Sequence, residues 1–534
     1  MSILASLSLD GLSPSPSTLF LAVFIGLLLL DQLIFWGSGG YSLPPGPMRL
    51  PFIGNLLDLP PKGEPEFQHW LKHNKRYGPI SSVHIMGQTV IIVHGRDAAW
   101  YLLQKCSKST SSRPHMEFAL NMCGYGNLLA TQKYEDSNFR PRRRLVHQHL
   151  GTPAASERYK SLQKEQAAIL MQRLRESPEQ LGDHLKRFAS TIVLEATYGY
   201  TLESVADPIV TIMQRLIDQV KAAFMPMAWA VDVLPALQLL PDWLPGMSFK
   251  KKAREYRQTM EDVANMPYAF VQEQMQKGTH RPSYVSRILE TETATANWDD
   301  DQGSFDAGPP VRPTEEDDIK YTAATMYGAG VETSTSTLEA FILAMVLFPE
   351  VQRKAQQEID SVVGPGRLPS PQDRASLPYT SNVVTELLRW WPVLPMGVVH
   401  TAQEDIMYND YLIPKGAILM PMVWWFCHDP GRYADPAKFD PDRFSKDSNE
   451  PDPRGWVFGF ARRICPGRFF ADSGLFMAVS HILATFNITH DVDEKGQPKV
   501  VEIRHTPSVA SRPVEFPFKI VARSAEHTVV SNGG

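Results

Sequence analysis

In FGFARRICPGR (residues 458–468), a single cysteine, Cys465, lies in a turn rich in glycine, proline and aromatic residues. The segment that follows, Arg468 to Phe486, has the apolar spacing of a helix, so the turn leads into a helix start. Free N–H groups at a helix start and the neighbouring arginines both favour the thiolate, the form of cysteine that binds a metal. The alternative is a cysteine that packs in a loop of the core and has no chemical role.

The residue spacing in this stretch resembles the haem-binding loop of the cytochrome P-450 family, Phe-x-x-Gly-x-Arg-x-Cys-x-Gly. Phe458, Arg463, Cys465 and Gly467 match it, whereas Ala461 stands where the family has its first glycine. If that position needs a positive φ, alanine costs on the order of 1 kcal/mol there, and otherwise it costs little. The resemblance implies that Cys465 binds the iron of haem b, that Arg463 pairs with a haem propionate, and that Phe458 packs beside the thiolate. A thiolate ligand favours O–O cleavage, so the implied activity is oxygen activation.

Two further motifs precede the cysteine in the order that the family has. Glu386 and Arg389 are three residues apart and share a helix face, although such pairs are usually solvated surface charges. The segment FDPDRF, which contains Arg443, resembles the family's Phe-x-Pro-x-Arg-Phe. The resemblance implies that Glu386, Arg389 and Arg443 form a buried charge network that supports the haem side and is structural rather than catalytic.

A long helix is predicted from Thr314, a good N-cap that acidic residues follow, to about Phe348. Gly330 in its middle costs roughly 1 kcal/mol against alanine, and a bulge or a widened groove beside a ligand would explain it. The surrounding AGVETS resembles the family's oxygen-binding motif. That resemblance implies that Thr333 hydrogen-bonds the bound oxygen or its water and that Glu332 relays protons. The alternative is a threonine hydroxyl that bonds back to its own helix.

A weaker match concerns the family's Trp-x-x-x-Arg, in which both side chains contact haem propionates. Arg143 fits the arginine, but Phe139 replaces the tryptophan and has no N–H to donate. Pro141 is compatible with this helix only if the helix begins near Asn138. His400 lies where the family often places another propionate partner. The alternatives are a merely basic helix face for Arg143 and a plain surface histidine for His400.

The first 36 residues contain an apolar run, Leu19–Trp36, which Asp31 and Gln32 interrupt and which approaches the roughly 20 residues that cross a bilayer. No Lys or Arg precedes Arg49, so the segment is unlike a cleaved signal peptide, and the positive-inside rule leaves the main body in the cytosol. The predicted organisation is a single-pass anchor (1–36) in the endoplasmic reticulum membrane, a Gly/Pro-rich spacer (37–47) and a haem-thiolate catalytic domain (48–534). A tilted or interfacial anchor and a buried core helix are the alternatives for the first segment.

Charge and cysteine content exclude several other classes of protein. The chain has 53 Lys+Arg and 58 Asp+Glu, a formal net charge of -5 and no long basic tract, which excludes a general affinity for nucleic acid. The four cysteines are scattered without a CxxC pair, which excludes a disulfide framework and a zinc spacing. Short β-patterns at 80–85 and 89–93 predict a hairpin, and the acidic stretch 298–310 predicts an exposed loop.

The resemblance covers nearly the whole chain from Leu43 onward. It implies a mainly α, triangular single domain with a small β region, a long central helix and a buried haem. It also implies O2 as co-substrate and NADPH-derived electrons from a separate flavoprotein, because the chain itself has no dinucleotide fingerprint after a strand. The residues expected to receive this NADPH–cytochrome P-450 reductase are basic and flank the thiolate side: Arg142, Arg143, Arg462 and Arg468.

The expected substrate is small and lipophilic, because the candidate pocket walls are largely apolar: residues 116–129, 321–329, 396–399 and 507–509. Residues 224–229 and 243–245 are expected to contact membrane lipid and form an apolar entrance. The amino-acid sequences of residues 321–337 and of the last helix are similar to those of fungal family members of secondary metabolism, such as O-methylsterigmatocystin oxidoreductase. A polyketide, terpenoid or aromatic intermediate is therefore expected. The rival functions are a non-catalytic haem protein and a reductase-independent enzyme that rearranges peroxides; Glu332 and Thr333 argue against both.

Overall fold

The structure, a computed structural model, describes residues 42–202, 207–225, 227–294 and 315–523, together with Gly26. Helices dominate the described residues and the strands are short, which confirms the predicted mainly α class with a small β region. The longer helices are α1 (Glu66–Tyr77), α2 (Phe139–Leu150), α3 (Lys160–Glu176), α4 (Leu181–Tyr198), α5 (Pro208–Ala223), α6 (Ser248–Gln276), α7 (Tyr284–Ala294), α8 (Glu316–Leu347), α9 (Pro349–Val362), α10 (Pro378–Trp390) and α11 (Arg468–Thr485). The shorter α-helical segments are Arg96–Ala99, Ser107–Thr110, Pro153–Glu157, Ala230–Val233, Val423–His428 and Arg454–Val457.

The long predicted helix is α8, and it is the centre of the molecule. Three acidic residues, Glu316, Asp317 and Asp318, occupy its first turn, where they complement the positive end of the helix dipole. Its N-cap is Glu315, and the predicted cap, Thr314, lies outside the described residues. The helix packs against α2, α4, α6, α10 and α11. Its N-terminal half belongs to one large apolar core and its C-terminal half to a second, so α8 joins the two.

The strands form one four-stranded sheet and two short pairs: β1 (Ile80–Ile85), β2 (Gln88–Val93), β3 (His400–Thr401), β4 (Ile406–Tyr408), β5 (Tyr411–Ile413), β6 (Ile418–Pro421), β7 (Phe486–Thr489) and β8 (Lys519–Ala522). The four-stranded sheet has the order β1-β2-β6-β3, with β2 and β6 parallel. The predicted hairpin is β1–β2, and its turn is Met86-Gly87. Both turn residues have positive φ, as a two-residue hairpin turn requires.

The predicted membrane anchor, residues 1–36, lies outside the described residues except for Gly26, which is helical, and so does the loop at 298–310. Of the predicted spacer, only residues 42–47 are described. Within the described ranges, no single helix has the length and apolar composition to cross a membrane. The pair Glu316–Leu347 and Pro349–Val362, bent by 104°, meets those criteria only when its two helices are taken together.

Candidate active site

Cys465 lies immediately before α11, as the sequence predicts. Its backbone N–H donates to the carbonyl of Phe458 at 2.7 Å, which closes the loop. Burial raises the pKa of the Cys465 thiol, while the backbone N–H of Gly467 and the charges of Arg143 and Arg468 lower it. Cys465 is half-buried and so keeps some accessible surface. Burial outweighs the other effects and raises the pKa of the free thiol, while the Gly467 N–H and the two arginines are groups that would stabilise a metal-bound thiolate.

The structure of the loop shows which backbone conformation position 461 adopts. Ala461 has φ +39°, so this position does require the left-handed region, and alanine is strained there. Gly459, two residues earlier, has φ +82°, which glycine adopts freely. The Ala461 N–H donates to the side chain of Gln104 at 3.0 Å, and this bond from outside the loop holds the strained residue in place. Gly467 has an ordinary φ of -86°, and a Cβ there would lie 4.0 Å from the sulfur.

Arg463 is held by backbone carbonyls rather than by a carboxylate. Its Nε donates to Ser111 O at 2.6 Å and its Nη2 to Gln132 O at 2.7 Å. Its guanidinium lies 4.0 Å from the centre of the Phe139 ring. Burial lowers the pKa of Arg463 to about 8, and the charges of Arg113 and Arg143 add to that effect.

Arg113, which sequence reasoning did not select, is buried and completes a group of three arginines with the half-buried Arg143 and Arg463. It donates to Ala130 O at 3.0 Å and to the carbonyls of Val398 and Val399 at 2.9 and 2.7 Å. Burial lowers its pKa to about 9, with Arg143 contributing. Burial likewise lowers the pKa of Arg143, to about 10, against the opposing effect of Cys465.

The three arginines lack an ion-pair partner among the described residues. Acidic charges act on this group only at longer range, through the effect of Glu135 and Asp136 on Arg463. Burial of several cations without a counter-charge is unfavourable, so the group is suited to an anionic ligand. The two propionates of a haem whose iron is held by Cys465 would supply this negative charge. The residues therefore fit a haem. Arg143 also donates to the carbonyl of Ile464, which ties α2 to the cysteine loop.

His400 is buried, so the alternative of a plain surface histidine is wrong. Its Nδ1 donates to Thr110 O at 2.7 Å, because a carbonyl can only accept. Burial lowers its pKa well below the usual value, and Arg113 and Arg463 add to this. The ring is neutral under these conditions and its Nε2 is an acceptor. An anion could hydrogen-bond to Nε2 only if the ring took up a second proton there and became positively charged.

Glu386, Arg389 and Arg443 form a buried network, in the geometry that the resemblance implies. Arg389 binds Glu386 through two bonds, Nε to Oε2 at 2.7 Å and Nη2 to Oε1 at 2.8 Å, and Arg443 Nε donates to Oε1 at 3.1 Å. The N–H of Asp440 adds a bond of 2.8 Å to the same oxygen. Arg389 also donates to the carbonyls of residues 427, 436 and 438, which fixes the segment between α10 and the cysteine loop.

Gly330 has a different explanation from the one expected. Helix α8 continues through this position without a bulge, and a Cβ on Gly330 would lie 2.9 Å from Val193 Cγ2 on α4. Close packing of two helices therefore requires the glycine. Ala329 is exposed although most of the helix around it is buried and other helices surround it. This part of α8 consequently faces an internal space.

Thr333 is half-buried and its hydroxyl donates to Ala329 O at 2.8 Å, the back-bonded alternative. Thr335 makes the same kind of bond to Val331, so this feature does not distinguish Thr333. The neighbouring Glu332 is nearly buried and forms an ion pair with Lys221 of α5, a residue that sequence reasoning did not select.

The four basic residues expected to receive a reductase do not share one surface. Arg142 is buried and donates to Asp318 at 2.7 Å, so it cannot contact a partner, and Arg143 is committed to the internal arginine group. The expectation was wrong for these two. Arg462 is exposed, and the same holds for Arg140 and Arg144, the neighbours on the outer face of α2.

Only some of the segments that were predicted to line the pocket contact one another directly. Residues 116–129 fold into short helical turns, and the N–H of Leu129 donates to the Thr325 hydroxyl of α8 at 3.0 Å. Phe118 in this loop is fully buried and stacks on Trp229 at 3.7 Å between ring centres. Residues 507–509 are exposed, although Ser511 nearby bonds to Val393 O at 2.7 Å.

Comparison with known proteins agrees with this geometry. The family model described as Cytochrome P450 matches residues 44–519. The chain is 43% identical over 510 residues to Cytochrome P450 monooxygenase CLM2 of Gibberella zeae, which covers 95% of this chain and 94% of that protein. It is 42% identical over 487 residues to Multifunctional cytochrome P450 monooxygenase af510 of Aspergillus fumigatus, with 91% and 89% covered. It is 36% identical over 507 residues to O-methylsterigmatocystin oxidoreductase of Aspergillus flavus, with 94% and 92% covered.

Proposed function

The chain belongs to the cytochrome P450 family of monooxygenases, and from this premise we propose that it oxidises a small lipophilic substrate with O2 and reductase-delivered electrons. The reaction inserts one oxygen atom into the substrate and reduces the other to water, with two electrons and two protons. The observation that carries the proposal is Cys465, a half-buried thiol at a helix start beside a group of arginines that have no ion-pair partner in the described part of the chain. A thiolate-ligated haem supplies the oxygen-activating chemistry when it is bound.

Each site residue has a proposed role. Cys465 is the metal ligand. Arg113, Arg143 and Arg463 hold the haem carboxylates, with His400 beside them, and Phe458 and Gly467 shape the loop around the sulfur. Thr333 hydrogen-bonds the oxygen or its water: its hydroxyl can accept from the water while it donates to Ala329 O, and it would leave Ala329 O only to donate to the oxygen. Glu332 relays protons from solvent. Glu386, Arg389 and Arg443 stabilise the fold on the cysteine side and do no chemistry.

The substrate proposed is an intermediate of fungal secondary metabolism. One relative is named O-methylsterigmatocystin oxidoreductase. The apolar helix face at Ala329, which is exposed to an internal space, supports a lipophilic molecule of polyketide, terpenoid or aromatic type. The charged groups Glu332 and Lys221 near this face form an ion pair with each other. They are therefore poorly suited to bind a charged substrate.

We also propose the organisation 1–36 anchor, 37–47 spacer and 48–534 catalytic domain, on the endoplasmic reticulum and facing the cytosol. Exposed apolar side chains between α5 and α6 support contact with lipid, because large exposed apolar patches mark interaction surfaces. The most exposed are Leu239, 82% accessible, and Trp243, 79% accessible. A second exposed apolar group follows the spacer at Met48 and Leu57.

The NADPH–cytochrome P450 reductase is proposed to dock over α2 and the cysteine loop. Arg140, Arg144 and Arg462 are exposed there and replace the buried Arg142 and Arg143 as candidate contacts. An acidic partner would be attracted to this face mainly through its association rate.

The test is co-expression of the chain with a reductase in cells fed polyketide, terpenoid and aromatic intermediates. We expect new oxygenated masses and, in the reduced protein with carbon monoxide, the absorption band of a thiolate-ligated haem. Cys465→Ala should abolish both, whereas Cys106→Ala, a partly buried cysteine outside the arginine group, should keep both. A normal thiolate band in Cys465→Ala contradicts the assignment. A band without NADPH-dependent product favours the non-catalytic rival, and product from hydroperoxide alone favours the rearranging enzyme.

A further inference from the structure

A helical segment far away in the sequence braces the cysteine loop from one side. This brace segment, residues 100–111, is π-helical over Trp100–Lys105 and α-helical over Ser107–Thr110. Three consecutive loop residues donate hydrogen bonds to it: Ala461 N to Gln104 Oε1 at 3.0 Å, Arg462 Nη1 to Ser107 Oγ at 2.6 Å and Arg463 Nε to Ser111 O at 2.6 Å. The three acceptors are spaced by three and four residues, as residues on one face of a helix are. One side of the brace segment therefore receives the loop.

Apolar packing fixes the brace segment against the loop. Leu102 and Leu103 are buried in the same apolar core as Phe460, the residue before Ala461. Gln104 follows these two leucines directly, and its own side chain is exposed. The backbone that carries Gln104 is thus held in place, and only its side chain loses freedom when the amide oxygen accepts the Ala461 N–H.

The bond to Gln104 acts on the one loop position that combines a side chain with the left-handed conformation. The N–H groups of Arg463, Ile464 and Cys465 find acceptors within the loop, whereas that of Ala461 donates to Gln104. Ala461 has φ +39°. That region disfavours alanine by about 5- to 30-fold, and one net hydrogen bond favours the bonded form by about fivefold. The bond therefore offsets a substantial part of the strain.

We propose that Gln104 is a positioning residue for the iron ligand: its amide oxygen holds Ala461 in the left-handed region and so keeps the loop in the form that presents Cys465 to the haem. This inference rests on the proposed function, in which Cys465 binds the haem iron. Gln104 acts on the cysteine only through Ala461, four residues before it. Without this acceptor, Ala461 relaxes towards negative φ in a larger fraction of the molecules, and in that fraction the sulfur no longer reaches the iron.

The experiment uses the full chain with haem, reduced under carbon monoxide in dilute urea, which makes a minor form of the loop measurable. The quantity measured is the ratio of haem without the thiolate band to haem with it, and the helix content from circular dichroism is recorded in parallel. The variants are Gln104→Leu, Gln104→Glu, Ala461→Gly and the double variant Gln104→Leu/Ala461→Gly. Gln272→Leu is the matched control, because Gln272 is an exposed glutamine on α6.

We expect Gln104→Leu to raise the ratio by about fivefold, the factor that one net hydrogen bond contributes. Gln104→Glu resembles the parent, because a carboxylate oxygen accepts the same bond. Ala461→Gly lowers the ratio by roughly two- to fivefold, since the relief of strain exceeds the added flexibility. The double variant therefore returns to about the parent ratio. Gln272→Leu leaves the ratio unchanged, and equal helix content in all variants excludes unfolding as the cause.

A ratio in Gln104→Leu that equals the parent's overturns the inference. The same holds for a double variant whose ratio stays as high as that of Gln104→Leu, because glycine then does not offset the lost bond. A ratio in Gln104→Glu as high as in Gln104→Leu also overturns it, since the accepting oxygen is then not what matters. In these three cases the proposed function stands on the thiolate band and the NADPH-dependent product of the parent. A parent without the thiolate band overturns the proposed function and this inference together.

Discussion

Replacing Ala461 by glycine should stabilise the protein, which is the reverse of the usual effect of glycine. The left-handed region costs an L residue about 1–2 kcal/mol, and Ala461 occupies it with φ +39°. Glycine removes that strain but makes the unfolded chain more flexible, which costs about 0.5–1 kcal/mol. The net expectation for Ala461→Gly is a gain of roughly 0.5–1 kcal/mol in the free energy of unfolding.

The matched control is Ala471→Gly, ten positions later. Ala471 is in the first turns of α11 and its N–H donates to Gly467 O at 2.8 Å, so its backbone is helical. Glycine there should lose about 1 kcal/mol. Urea unfolding followed by the thiolate band measures both variants, and equal slopes make the midpoints comparable. A lower midpoint for Ala461→Gly than for the parent, at equal slope, would refute the reasoning.

Four other substitutions test separate parts of the structure. Thr333→Ala should raise peroxide release per NADPH and leave the urea midpoint nearly unchanged, because the Thr333 hydroxyl bonds only within its own helix among the described residues; unchanged coupling would contradict its role. Glu386→Gln should cost about 3–5 kcal/mol, because the buried Arg389 loses its counter-charge and Arg443 keeps only its ion pair with Glu450, and a midpoint near the parent's would contradict the network. Arg142→Met should lower the free energy of unfolding by a similar amount, since the buried Asp318 loses this ion pair, whereas Arg144→Met should change stability by under about 0.5 kcal/mol and slow electron transfer from the reductase. Equal effects of the two arginine variants in both assays would show that the assignment of inner and outer faces is wrong.

Local patterns were sufficient for the features that lie close together in the sequence. The limits of α8 and α11 follow from apolar spacing and helix-start residues, and the helix at Phe139 begins where Pro141 requires it to begin. The pairing of Glu386 with Arg389 follows from their spacing on one turn. In each of these cases the deciding interaction lies within a few residues.

Features that depend on distant contacts could not be predicted in this way. Arg142 and Arg143 are adjacent, yet one pairs with Asp318, 176 positions away, and the other reaches the carbonyl of Ile464. The partner of Glu332 is Lys221, on a helix that pattern alone does not place beside α8. Gly330 shows the same limit, because the reason for the glycine is a valine on another helix.

Phe139 and Arg113 together explain how the arginine group does without the family's tryptophan. Phe139 offers no N–H, but the guanidinium of Arg463 lies over its ring at 4.0 Å. A desolvated cation–π contact of this kind contributes up to about 2 kcal/mol and fixes the plane of the guanidinium. Arg113 adds a third cation to the group, and among the described residues no ion-paired carboxylate offsets the mutual repulsion of Arg113, Arg143 and Arg463. On the proposed function, the haem carboxylates would bring negative charge to this group, so haem binding is expected to stabilise the folded chain by more than the iron–sulfur bond alone.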